Sequence, residues 1–314
     1  MSRIVYRMRP VLVCLGLLGL TIALPGQDLE PRAYSAAPVG THFLVLGLAY
    51  TYGDVLLDPS IPVTDVTAKL GAAALGYAQT LKLAGRTASL AVTLPYAWGK
   101  MSGLVGEDFQ TVTRSGIGDI RVRAAVNLLG GRALTPREFA RRKPAPALGA
   151  SLTVSAPAGQ YYPDKLVNIG THRWAFKPEL GFSFPAGKWI LDLAASVWLF
   201  TDNPDFYGGQ RRTQDPLWAG QAHVSYTFRP GLWLAADATF YAGGRTSLDG
   251  VVKDDRQENS RGGLTLSLPM GQAYSLKFSG STGVSTRIGG KFTAVGVTFQ
   301  YRWTKVPLPS RTPS

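Results

Sequence analysis

The sequence predicts an all-β protein, a transmembrane antiparallel up-and-down β-barrel of twelve strands. Three observations predict this fold. Apolar and polar residues alternate with a period of two through much of the 314-residue chain. The alternating segments run for about a dozen residues, which exceeds an ordinary globular strand and suits a tilted strand crossing a membrane. Short turns and long polar loops connect these segments in alternation, as in outer-membrane barrels.

Composition excludes several other classes of protein. The chain is 45% hydrophobic and only 17% charged, against about 25% charged in an average soluble domain, which excludes disorder. The single cysteine, Cys14, excludes a disulfide scaffold, a thiolate zinc site and an iron–sulfur cluster. Three histidines do not suffice for a histidine-rich metal centre. We therefore predict no cofactor and no metal. A helical membrane protein is excluded as well, because no apolar run reaches the roughly 20 residues that a spanning helix needs.

Residues 1–26 have the organisation of a secretory signal peptide. Three arginines precede an apolar run over 11–24, and small or turn-forming residues follow up to Gly26. A membrane anchor is the alternative, but the run is shorter than a membrane span. We predict cleavage between Ala23 and Gln27, a barrel over 27–303 and a periplasmic tail over 304–314.

The predicted strands are defined by their alternation. In the last of them, Val295, Val297 and Phe299 fall on one face and Thr298 and Gln300 on the other. The twelve segments lie near 41–51, 68–82, 86–97, 116–128, 147–157, 173–184, 188–200, 217–228, 231–242, 258–268, 273–285 and 292–303.

Connections between these segments alternate in length. Glycine and proline supply short turns at 84–85, 185–187, 229–230 and 269–272. Longer polar loops are predicted at 52–67, 98–115, 158–172, 201–216 and 243–257, and a shorter loop is predicted at 286–291. The basic connection 129–146 is the exception, because it occupies the place of a short turn and is long. This arrangement predicts location in the bacterial outer membrane.

The alternation by itself does not distinguish a lipid-facing side from an inward one. A strand in lipid must pair all its backbone groups, so a sheet there closes on itself. A secreted β-sandwich or lipocalin-like barrel would instead bury its apolar side. Strand length, the signal peptide and aromatic residues at strand ends favour the membrane barrel. Gly296, Phe299 and Tyr301 also match the terminal signal read by the barrel-assembly machinery, although a tail follows them.

Several short motifs, in a fixed order, resemble those of a known family. They are Phe43 to Val55, Ser115 to Asp119, Ala156 to Tyr161, Asn168 to Thr171, Arg173 to Glu179, Thr201 to Asn203, Gly243 to Thr246 and Tyr301 to Trp303. On these residues the chain resembles the outer-membrane transporter family of the phenol meta-cleavage (MetA) degradation pathway type. The resemblance covers nearly all of the chain after the signal peptide. It implies an outer-membrane barrel and uptake of small aromatic or other hydrophobic compounds.

The polar faces of the strands supply candidates for the channel lumen. A twelve-stranded barrel is wide enough to leave a narrow channel or a partly plugged lumen. Charged side chains there form a selectivity constriction or, alternatively, a network of ion pairs that stiffens the wall. The predicted lumen residues are Asp119, Arg121, Arg123, Lys177, Glu179, Asp192, His223, Asp237, Lys277 and Arg302. Their basic majority favours anions such as aromatic carboxylates.

The long loops supply candidates for substrate contact. Loop 158–172 is predicted to fold into the lumen, on the strength of the family resemblance alone. The substrate-loop candidates are Tyr161, Tyr162, His172, Phe206 and Tyr207, for which membrane-interface anchoring is the alternative. No loop has the spacing of a calcium site.

The sequence therefore predicts a diffusion channel for small hydrophobic or aromatic compounds, and not an enzyme. The alternatives are a structural or adhesive barrel without transport, and an outer-membrane lipid hydrolase using Ser225 and His223. No nucleophile elbow and no ATP-binding loop are found. Expected partners are the solutes, outer-membrane lipids and lipopolysaccharide, and the barrel-assembly machinery, with no nucleic acid; the oligomeric state is left open.

Overall fold

The computed structural model describes residues 30–35, 37–57 and 63–304, which form one closed antiparallel barrel. The elements in chain order are β1 (Thr41–Leu56), β2 (Val63–Leu83), β3 (Arg86–Val105), β4 (Asp108–Ile117), β5 (Ile120–Leu129), α1 (Pro136–Arg141), β6 (Ala147–Ala156), β7 (Ala175–Ala186), β8 (Trp189–Phe200), β9 (Asn203–Phe206), β10 (Gln210–Gln214), β11 (Leu217–Arg229), β12 (Leu232–Gly243), β13 (Thr246–Leu248), β14 (Val251–Val252), β15 (Gln257–Met270), β16 (Tyr274–Thr286) and β17 (Gly289–Thr304).

The barrel wall contains twelve strands, as the sequence predicted. The first and last strands close it, with a register that runs from Thr41 opposite Thr304 to Leu56 opposite Gly289. β4 and β5 count as one wall strand, because β4 pairs with the upper part of β3 and β5 with the lower part. The break between them falls at Gly118 and Asp119. Closure leaves no open sheet edge, as a barrel in lipid requires.

The two faces of the wall differ as expected for a membrane barrel. On β12, Leu234 and Phe240 are exposed on the outside, whereas Asp237 and Thr239 are buried on the inside. Aromatic side chains gather near both ends of the outer face, including Trp189 and Trp218 at opposite ends of neighbouring strands. An apolar belt between aromatic girdles is the surface that lipid stabilises.

The strand ends differ from the sequence prediction at the end with long connections, which is the extracellular end. The predicted loop 98–115 is an extension of the wall, because β3 and β4 stay paired up to a tight turn at Gly106 and Glu107. The ends of loop 52–67 likewise belong to β1 and β2. Loops 201–216 and 243–257 form a small four-stranded sheet from β9, β10, β13 and β14. Main-chain pairing continues beyond the lipid because these hairpins satisfy their own backbone groups.

The long basic connection lies at the opposite, periplasmic end. It contains the short helix α1, whose first turn is closed by a capping box: Thr135 receives a hydrogen bond from the Glu138 amide, and the Glu138 carboxylate accepts from the Thr135 amide. The hydrogen bonds that the Thr135 amide and the Thr135 hydroxyl donate to the carboxylate hold the pKa of Glu138 below its usual value. The connection is also tied to the wall, since Ala133 donates to Gly85 and Thr87 donates to Gly131.

The predicted signal peptide, 1–26, and residues 305–314 of the predicted tail lie outside the described residues. None of the helices in the described part of the chain is long and apolar enough to cross a membrane.

Candidate channel lumen

The inner wall has two chemically different sides. Around β17, β1, β2 and β3 it is lined by small or apolar side chains, among them Val66, Ala68, Met101 and Phe292. From β5 round to β12 it carries charged and hydroxyl side chains. These include the predicted lumen residues Arg123, Lys177, Glu179, Asp192, His223 and Asp237. The inner wall therefore has an apolar side, on which Leu166 and Val167 pack, and a charged side.

A charged cluster occupies the middle of the polar side. Glu179 accepts from Arg123 at 3.4 Å and from Lys177 at 3.2 Å, through different carboxylate oxygens. Tyr34 donates a third hydrogen bond to Glu179 at 2.8 Å. Arg123 also interacts with the charge of Glu30, so the two cations of this cluster face two carboxylates.

The chain segment before the first strand, residues 30–35, lies inside the barrel; we call it the inner N-terminal segment. The Tyr34 ring fits against Gly149 and Gly181, which face each other on β6 and β7. A Cβ on either glycine would overlap the ring. The Tyr34 hydroxyl also lies 3.0 Å from the Ser151 hydroxyl, and the ring is 7% exposed. The segment therefore narrows the periplasmic half of the lumen.

Arg32 fixes the same segment to the neighbouring stretch of wall, on β8, β11 and β12. Its amide donates to Asp192 at 3.1 Å, and its guanidinium donates to Ser225 at 3.1 Å and Thr227 at 2.6 Å. The guanidinium carbon lies 4.6 Å from the centre of the Trp233 ring. The alternation pattern did not predict this segment; the available signal was the pair of glycines at inner-face positions of adjacent strands.

His223 and Asp237 form a buried polar pair on β11 and β12. His223 Nδ1 lies 2.7 Å from one Asp237 oxygen, and Thr265 donates to the other oxygen at 2.7 Å. Within the described residues, Ser225 makes its side-chain hydrogen bond with Arg32 and none with His223. The serine–histidine arrangement that a hydrolase requires is therefore not formed.

Replacing Asp237 with asparagine is expected to lower the free energy of unfolding by about 1–3 kcal/mol, because an amide nitrogen replaces one of the two oxygens that face His223 and Thr265 and leaves one buried group without its acceptor. Urea unfolding of the refolded barrel in lipid vesicles measures this change. Asp215→Asn, at an exposed carboxylate of the extracellular end, is the control and should change stability by less than about 1 kcal/mol. Equal stability of the two variants would contradict the prediction.

The connection between β6 and β7, residues 157–174, folds into the extracellular half of the lumen; we call it the lumen loop. Asp119 holds it, accepting from the Gly159 amide at 3.0 Å, the Thr171 amide at 3.0 Å and the Thr171 hydroxyl at 2.6 Å. Farther along, Ile169 packs on Ala72 and Ala97 of the apolar side. The loop thus lies across the lumen between the two sides.

The substrate-loop candidates occupy different surroundings. Tyr161 stacks on His172 at 4.7 Å between ring centres and donates to the Asp205 carbonyl at 3.0 Å. Phe206 is buried beneath Arg212. Tyr162 is 44% exposed, and Tyr207 is half-buried at the tip of the β9–β10 hairpin. Tyr161, His172 and Phe206 therefore gather at the extracellular entrance, and the other two lie outside it.

The remaining lumen candidates are spread along the barrel. Arg121 lines a small pocket together with Asp119, Ala97 and Ile169. Lys277 is half-buried at an inner-face position of β16, opposite Ser267. Arg302 is exposed at the periplasmic rim, where its Nε donates to the Gln272 carbonyl at 2.9 Å. Arg302 is thus remote from the charged cluster.

Comparison with known proteins identifies the family. Residues 48–303 match the family described as "Putative MetA-pathway of phenol degradation". The chain belongs to this family. The match spans the wall from within β1 to within β17, so the resemblance on short motifs is confirmed over the whole barrel. No curated protein matches the sequence.

Solved structures agree on the fold. The COG4313 outer membrane channel from Pseudomonas putida F1 superposes with a TM-score of 0.74 at 23% identity, over 87% of this chain and 99% of that one. The KdgM porin is more remote, with a TM-score of 0.43 at 8% identity over 82% of this chain and 98% of that one. The chain thus has the fold of the COG4313 outer membrane channel.

Proposed function

We propose that this barrel is an outer-membrane channel through which small hydrophobic or aromatic compounds diffuse. The observation that carries the proposal is the two-sided lumen, with an apolar wall facing a charged one. The transfer of an aromatic ring from water to an apolar surface such as that of Val66, Ala68 and Met101 is favourable in free energy. The charged wall keeps the remainder of the path wet and holds polar substituents.

The two inner segments make this passage conditional. Side chains hold the inner N-terminal segment and the lumen loop to the wall, whereas the wall itself is closed by its own backbone hydrogen bonds. Both segments can therefore shift without opening the barrel. The family description and the similarity to an outer membrane channel support transport, but the substrate class stays a proposal. The lipid, lipopolysaccharide and assembly partners stay predictions as well.

The experiment is single-channel recording of the refolded full chain in a planar lipid bilayer, with and without a gradient of phenol or benzoate. We expect discrete open channels whose current is interrupted by the aromatic solute, because the solute occupies the narrow part of the lumen. A correctly folded barrel that stays silent under all these conditions would contradict the proposal. That result would favour the alternative, a structural barrel that transports nothing. The two inner segments, which occupy part of the lumen, also support this alternative.

A further inference from the structure

Two buried arginines at the extracellular entrance are separate from the charged cluster. Arg173 lies near the end of the lumen loop and is 4% exposed, and Arg212 lies on β10 and is 5% exposed. Each guanidinium carries five N–H donors. Within the part of the chain that the structure describes, the two side chains donate one hydrogen bond, from Arg173 Nη2 to Gln214, and Arg173 Nη1 is buried without a partner. Buried donors without acceptors are costly, so this pair is suited to an acceptor from outside.

The charges of three nearby carboxylates act on the pair, those of Asp119 and Asp202 on Arg173 and that of Asp255 on Arg212, but each carboxylate accepts its hydrogen bonds from other donors. Asp119 holds the lumen loop, Asp202 pairs with Arg211, and Asp255 accepts from both the amide and the hydroxyl of Thr246. Burial, and next the charge of Arg212, lower the pKa of Arg173 to about 9. Burial likewise lowers the pKa of Arg212 to about 10. Both remain cations at neutral pH, and an anion between them would relieve their repulsion.

Aromatic rings surround the two guanidinium groups. The guanidinium carbon of Arg173 lies 4.4 Å from the centre of the Phe200 ring, and that of Arg212 lies 5.1 Å from the centre of Phe206. Tyr161 also lies near Arg212. A flat apolar group bound here would have ring faces to stack on.

We infer that Arg173 and Arg212 bind the carboxylate of a small aromatic acid at the entrance of the lumen. This site rests on the proposed function, since it would receive the acid before the acid moves inward. The lumen loop connects this site to the apolar wall within a few residues. Arg173 lies at the site, and Thr171 donates a hydrogen bond to Asp119. Ile169 packs on Ala72 and Ala97 of the apolar wall. An acid that leaves the arginine pair therefore finds the apolar side of the lumen next to it.

The test is isothermal titration of the refolded full chain with benzoate. Benzyl alcohol, which has the ring without the charge, and acetate, which has the charge without the ring, are the comparison ligands. We expect saturable benzoate binding that Arg173→Gln and Arg212→Gln each weaken at least tenfold, because each loses a charge-assisted hydrogen-bonding partner. Arg245→Gln is the matched control, since Arg245 is a half-exposed arginine at the same end, and it should bind benzoate as the unaltered protein does.

Arg173→Lys and Arg212→Lys provide the test if a glutamine variant does not fold, because lysine keeps the charge and lacks the planar fork. Benzoate binding that is unchanged in the arginine variants, or absent in the unaltered protein, overturns the site. Equal affinity for acetate and benzoate overturns the aromatic acid as its ligand. Bilayer recordings of the same samples separate this result from the channel proposal: conducting channels without benzoate binding overturn only the site. A silent barrel with arginine-dependent binding supports the site and contradicts the channel.

Discussion

Replacing Arg32 and Tyr34 together with serine is expected to raise the single-channel conductance of the barrel several-fold. These two side chains hold the inner N-terminal segment in the periplasmic half of the lumen. The change removes two guanidinium hydrogen bonds, a cation–π contact and the Tyr34 bonds to Glu179 and Ser151. Hydrogen bonds that involve a charged group contribute about 1.5–3 kcal/mol each, so the segment should spend most of its time away from the wall. The measurement is planar-bilayer recording of the refolded variant.

A second variant reaches the same outcome without altering the segment. Gly181→Val fills the slot that receives the Tyr34 ring and should also raise conductance. The matched control is the pair Arg245→Ser and Tyr162→Ser, which makes the same residue changes at exposed positions of the extracellular end. Circular dichroism and the heat-dependent gel mobility of folded barrels verify that each variant is folded. Unchanged conductance in both the double variant and Gly181→Val would show that this segment does not limit the path.

Replacing Asp119 with alanine is expected to release the lumen loop. The Asp119 carboxylate is the acceptor for two amides and one hydroxyl of this loop, and it lies at the break between β4 and β5. Loss of a buried charged acceptor leaves those donors unpaired, at a cost of about 3–5 kcal/mol to the docked loop. We expect proteolytic cleavage within 157–174 and larger current fluctuations, while the wall keeps its hydrogen bonds and its resistance to urea.

A second variant at the extracellular end of the wall is the control for Asp119→Ala. Asp108→Ala changes an exposed carboxylate at the start of β4, the strand that ends just before Asp119. This variant should leave the lumen loop protected from protease. Cleavage is located by mass spectrometry of the fragments. A lumen loop that stays resistant to protease in Asp119→Ala would contradict the prediction and would mean that the other contacts of the loop hold it, namely the packing of Ile169 and the hydrogen bonds from Arg114 to Val167 and from Gln160 to Ile117.

The sequence predicted the wall well because a membrane barrel is patterned locally. Every wall strand alternates between lipid and lumen with a period of two, so the inward positions of Arg123, Glu179 and Asp237 could be predicted from neighbouring residues alone. The same reasoning placed Arg302 inward, and its side chain does extend from the inner-face phase of β17. Its position along the strand puts it at the rim, which alternation does not reveal.

The contacts inside the lumen, in contrast, join residues that are far apart in the sequence. Tyr34 meets Gly149 and Gly181, and Arg32 meets Ser225 and Thr227, across separations of more than a hundred residues. Arg173 and Arg212 come together because two extracellular connections fold over the entrance. No local pattern marks such pairs, since each residue alone looks like an ordinary polar position. The inward-facing positions on the wall strands could therefore be predicted from the sequence. The contacts of Arg32, Tyr34, Arg173 and Arg212 inside the barrel could not.

The sequence by itself determined the fold class, the number of wall strands, their inward and outward faces and the family. These properties depend on the chemistry of adjacent residues and on the requirement that backbone groups in lipid be paired. Only the tertiary structure decided that residues 30–35 and 157–174 lie inside the lumen, and which charges they meet there. Those contacts depend on barrel closure, which fixes the circumference of the wall and brings strands that are distant in sequence to opposite sides of one narrow space.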